Sequence, residues 1–96
     1  MVFVSGCGPR DRQADMETQM RQTFEAIRKI LEAGGASMKD IANIRAYFVN
    51  IERDLPVFRK VRKEFLSKPY PAASAIGVTA LSRPDLQIEI EALAVI

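Results

Sequence analysis

The sequence predicts an α+β domain, a mixed sheet with two helices on one face, in the element order β-α-β-α-β-β. Three observations carry that prediction. Met16, Met20, Phe24, Ile27 and Leu31 recur at spacings of four, four, three and four, which is one apolar stripe at the helical period. Ile88, Ile90, Ala92 and Ala94 alternate with Glu89, Glu91, Leu93 and Val95, which is the two-residue period of a strand. The two helical stretches are long enough to cross over between parallel strands, a connection that is right-handed almost without exception.

The elements follow in order. "MVFVS" at 1–5 reads as a strand that begins at once, and "GCGPRD" reads as a turn broken by Gly6, Gly8 and Pro9. The first helix is expected over 15–33, with Asp15 as its N-cap and Gly34 and Gly35 as its stop. Ser37 and Asp40 make a capping-box pattern around one brief helical turn. "IANIRAYFVNI" then reads as a strand, with Ile44, Ala46 and Phe48 on one face and Arg45, Tyr47 and Val49 on the other. Asp54 and Pro56 mark the start of a second helix running to about Leu66. Val57 or Phe58, with Val61 and Phe65, forms its apolar side, and Arg59, Lys60, Arg62 and Lys63 its basic side. Two strands, about 73–81 and 87–95, flank "SRPD" and are expected to pair as an antiparallel hairpin. The two strand–helix halves suggest a ferredoxin-like duplication.

Composition narrows the chemistry. With 96 residues the chain is one domain by any length prior. One cysteine and no histidine remove an internal disulfide, histidine triads and histidine metal sites. Any catalysis must draw on carboxylates, arginine, lysine, hydroxyls, the one thiol or the backbone. The net charge of +2 is too small to imply nucleic acid by itself. No apolar run reaches a membrane span, and "MVFVSGCGPRD" lacks the basic and long apolar regions of a signal peptide. A reduced, cytoplasmic protein is the expectation. A small domain without staples gains buried surface by self-association.

Three segments in this order, "VFVSGCGP" at 2–9, the helix-strand run at 19–51 ending "IRAYFVNI", and "IEIEALAV" at 88–95, give the whole chain a resemblance. It resembles the Rid family, also called YjgF/YER057c, the reactive-intermediate deaminases. The resemblance implies a chorismate-mutase-like fold and a homotrimer with ligand clefts between subunits. It implies hydrolysis of 2-imino acids to 2-keto acids and ammonia without metal or organic cofactor. It also implies that the family's N-terminal strand segment is absent and that 1–96 is a single Rid-like domain.

Carried onto this sequence, the family's pattern makes Glu89 the residue that holds or activates water. Ser5, Gly6 and Cys7 form its binding loop, and Arg59 aligns with a polar position on the second helix. "PAAS" aligns with a P-A-R-S strand, so Ala73, beside Ser74, stands where the family has a carboxylate-binding arginine. A bidentate guanidinium is the strongest orienting contact for a carboxylate substrate. Its loss opens two readings: an imine hydrolase, or a non-catalytic trimeric protein that binds a small carboxylate metabolite. Nucleic-acid binding ranks last, because the basic side of the second helix lacks interleaved aromatics for base stacking.

Overall fold

The computed structural model describes residues 1–96. The chain runs β1 (Val2–Cys7), α1 (Met16–Ala33), a 3-10 turn (Met38–Asp40), β2 (Ile41–Phe48), α2 (Ile51–Phe65), β3 (Ala72–Gly77) and β4 (Ile88–Ala94). The four strands form one mixed sheet in the order β1-β4-β2-β3. The two helices pack on one face of it, and the other face is bare. The α+β class and the element order agree with expectation.

The expected hairpin between the last two strands does not form. β4 inserts between β1 and β2, antiparallel to both, and β3 pairs only with β2, in parallel. The side chains explain the exchange. β4 offers four apolar residues to the core, and Ile88, Ile90, Ala92 and Ala94 are all buried. On its other face Glu91 lies in register with Arg45 and Glu89 with Tyr47, so partners of suitable charge wait on β2. β3 has only Ala72, Ala73, Ser74, Ala75, Ile76 and Gly77, and every one is exposed. A strand with so little to bury belongs at the edge. It also stops at Gly77 rather than continuing to 81.

The first helix has the expected limits. Met20, Phe24, Ile27 and Leu31 are fully buried. Gly35 alone takes a positive φ, 80°, and Ala36 closes the end by donating its N–H to the Leu31 carbonyl at 2.8 Å. The second helix starts three residues before the expected Asp54. Its N-cap is Asn50, whose side chain accepts from the Arg53 N–H at 3.2 Å. Pro56 lies inside the helix. It leaves the Glu52 carbonyl without its helical donor, and Glu52 is exposed to water, which supplies a substitute. Asp54 is buried rather than a cap, and it accepts both prongs of Arg53 at 2.7 and 2.9 Å.

The helices are joined at their base by aromatic packing and over it by charge. Phe24 stacks on Phe65 at 5.2 Å and on Phe58 at 6.1 Å, and Phe58 meets Phe48 edge-on at 5.6 Å. Above them Arg21 bridges Glu17 and Glu64, and Lys60 reaches Glu17 at 2.6 Å. No helix is long and apolar enough to cross a membrane.

Candidate functional site

The candidate residues divide between the two faces of the sheet. Sheet register decides the division, because residues paired across strands point to the same face. Glu89 and Glu91 pair with Tyr47 and Arg45 and project from the bare face. Ser74 pairs with Arg45 and so joins them. Ala73 pairs with the buried Ile44, so it faces the helices. Within one chain, Ala73 and Glu89 are therefore on opposite sides of the sheet, with β2 between their strands.

The two glutamates have different surroundings. Glu91 accepts the Tyr47 hydroxyl at 2.8 Å and has the Arg45 guanidinium 3.7 Å away. That hydrogen bond, and then burial, push the Tyr47 phenol above its ordinary value. Glu91 is thus committed to holding β2 and β4 together. Glu89 has no hydrogen-bond or ion-pair partner in its own chain. Its carboxylate lies over the backbone of Gly6.

That close approach has a sequence cause. The β1–β4 register slips between Val4 and Cys7, so Ser5 and Gly6 form a bulge opposite β4. A Cβ at position 6 would stand 2.5 Å from Glu89 Cδ and 2.6 Å from Oε2. Only glycine leaves room for the carboxylate there. Gly6→Ala is therefore expected to displace the end of the Glu89 side chain while leaving the fold intact, since the obstructing atoms belong to a flexible side chain. Any activity that depends on Glu89 should fall by roughly ten- to a hundred-fold, in line with the sensitivity of catalysis to misplacement by about 1 Å. Parallel rate and thermal-melting measurements check this. Equal activity in the variant would show that the Gly6 contact does not position Glu89.

Of the expected loop, Ser5 and Gly6 are exposed and Gly6 lies against Glu89, but Cys7 turns inward. Its thiol is part of the buried core and donates to the Ser5 carbonyl at 3.5 Å. Burial, and then the charge of Glu89, push the Cys7 thiol above its ordinary value. A thiol so placed stays protonated at neutral pH and is a poor nucleophile.

Arg59 is exposed on α2 and does not line the space over Ala73. One turn further along, Arg62 and Lys63 do. They line a cavity of about 190 Å³ together with Leu66, Tyr70, Pro71 and Ala73. The spacing of the basic residues could not distinguish Arg59 from Arg62, because residues three apart lie on neighbouring parts of a helix surface. On the bare face a second, shallower hollow is lined by Phe3, Asn43, Arg45, Glu91, Ala92 and Leu93.

Comparison with known proteins places this geometry in context. The family model described as "Endoribonuclease L-PSP" matches residues 1–96. A protein of Dermatophagoides farinae named 2-iminobutanoate/2-iminopropanoate deaminase is 34% identical over 101 residues, covering 99% of this chain and 77% of its own. The 3-aminoacrylate deaminase RutC of Acinetobacter baylyi is 32% identical over 100 residues, covering 98% of this chain and 78% of its own. The crystal structure of Rv2704 from Mycobacterium tuberculosis, a member of the YjgF/YER057c/UK114 family, superposes with a TM-score of 0.89 at 31% identity, covering 98% of this chain and 77% of that one.

Proposed function

Because this chain belongs to the Endoribonuclease L-PSP family, the YjgF or Rid proteins, we propose that it hydrolyses 2-imino acids to 2-keto acids and ammonia, with Glu89 as its catalytic residue. The observation that carries this reading is the freedom of Glu89. It is a half-buried carboxylate without a partner in its own chain, set against the one residue that leaves it room. Glu91, two positions on, is already paired.

The chemistry asks little more of the protein. Glu89 accepts a proton from a water molecule as that water adds to the imine carbon. Glu89 returns that proton to the nitrogen, giving a carbinolamine; it then takes the hydroxyl proton and passes it to nitrogen as the C–N bond breaks, so that the carbonyl forms and ammonia leaves. Water is the only co-reactant. General-base assistance of this kind contributes about 10²–10⁴ in rate.

A single chain leaves Glu89 and position 73 on opposite faces, so a site that uses both needs more than one copy. We propose the homotrimer, and with it a cleft shared between neighbours. The bare face supports association. Phe3 is 64% exposed there, Leu93 lies in register with it across β4, and the outer edge of β3 carries no strand. The single Rid-like domain, its cytoplasmic location and the substrate-binding roles of Ser5, Gly6 and Ser74 belong to the same proposal.

One observation favours a second reading, binding of a small carboxylate without turnover. It is Ala73 itself, which offers a substrate no charge. RNA cleavage, which the family model's description names, has weaker support. Lys60 of the basic helix face is tied to Glu17, and no aromatic ring alternates with the remaining cations.

The test is direct. With an amino-acid oxidase or a threonine dehydratase generating the imine in situ, the protein should accelerate release of keto acid and ammonia well above the rate without it. A rate equal to the uncatalysed one, from a protein that still binds keto acid, would replace the hydrolase reading by the binding reading.

A further inference from the structure

The space over Ala73 is not merely empty. It is bounded by Arg62 and Lys63 from α2, by Leu66, and by Tyr70 and Pro71 on the approach to β3. No carboxylate is among its lining residues. Neither cation has an ion-pair partner within 4.0 Å, as is true of several other cations, but only these two face a common cavity. The Arg62 guanidinium is also held in place, with its central carbon 5.6 Å from the centre of the Phe58 ring. An arginine restrained by stacking surrenders less freedom on binding an anion than one that swings in solvent.

We infer that this cavity is an anion-binding site, and that Arg62 and Lys63 hold the carboxylate of a small organic acid there in place of a side chain at position 73. The observations fit together on three counts. Two unpaired cations give the cavity a net positive potential. Its volume of about 190 Å³ suits an acid of a few carbons, not a nucleotide. The apolar sides of Leu66, Pro71 and Ala73 fit a short alkyl chain. A bulky residue at position 73 would occupy this space, so alanine and the two helix cations form one arrangement. The identity of the acid as a 2-keto or 2-imino acid rests on the function proposed above. The anion site itself does not require turnover.

Pyruvate is the probe. Titrated into the full chain and followed by amide chemical shifts, it should perturb residues 62–73. Its affinity should weaken as salt is raised, because the attraction between its carboxylate and the two cations is screened. Arg62→Gln with Lys63→Gln should weaken binding by about tenfold or more, the effect of losing roughly 1.4 kcal/mol. Both positions are on the outer side of α2, with Lys63 exposed, so the variant should fold, and its melting curve checks this. Methyl pyruvate, which lacks the charge, should not bind. Glu89→Gln should bind pyruvate no more weakly than the unaltered protein, because it removes no cation and one like charge, which separates this inference from the catalytic one. Pyruvate affinity unchanged in the double variant, shifts confined to Ser5–Cys7 and β4, or no pyruvate binding at all would each overturn the assignment.

Discussion

Glu89→Gln should lower the rate of the proposed imine hydrolysis by about 10²–10⁴ while leaving the fold in place. The carboxamide has the shape of the carboxylate and fits the same space over Gly6, but it does not accept a proton from water. The loss should appear in kcat, with KM for the imine little changed, because no binding contact to the substrate carboxylate is removed. Glu91→Gln is the matched control. It removes the same charge two residues along the same face, yet Glu91 serves Tyr47 and Arg45, so activity should stay within a few-fold. Steady-state release of keto acid, measured for both variants, decides the matter. Equal losses in the two would mean that the negative potential of the face matters rather than Glu89 as a base.

Phe24→Ala should remove about 3–5 kcal/mol of stability, the usual cost of emptying a buried phenylalanine site. Phe24 is fully buried and stacks on both Phe58 and Phe65, so truncation also forfeits two aromatic pairs that join the helices. Neither partner can easily refill the space. Phe58 is held edge-on by Phe48, and Phe65 sits in the last turn of α2. A domain of this size has only about 5–15 kcal/mol in total, so the variant should be close to unfolding at physiological temperature. Urea denaturation at fixed protein concentration measures the change, since the proposed self-association would add to apparent stability. A loss below about 1 kcal/mol would show that the helix pair repacks freely.

The parts of the fold legible in the sequence are those set by periodicity. The stripe of α1 and the alternation of β2 and β4 each name the buried face correctly, because burial repeats with the geometry of the element. The position of β4 is not legible in this way. Neighbours in sequence usually pair, but β3 has no side chains with which to hold β4, and Arg45 and Tyr47 of β2 do. The start of α2 is obscured by Pro56, which reads as a first-turn residue although an exposed carbonyl lets it sit one turn deeper. The resemblance put Glu89 and the Ser5–Cys7 loop in one site, and the structure sets Gly6 against the Glu89 side chain while Cys7 turns into the core. What it could not convey is the face to which each residue points. Ala73 and Glu89 lie on opposite sides of the sheet because their register partners, Ile44 and Tyr47, do. Nor could one stretch of basic helix show that Arg62 and Lys63, not Arg59, overlook Ala73.

The exposure of β3 on both faces has a consequence for how this protein can change. The five side chains it carries, from Ala72 to Ile76, are exposed, so replacements there cost the folded chain little. Glu89 is in the opposite position, since its place depends on a bulge, a glycine and a central strand that fail together. Variation can therefore accumulate at the anchor while the acid stays fixed. In the proposed site, ligand preference is evolvable at one edge of the sheet, while the acid is fixed by its middle.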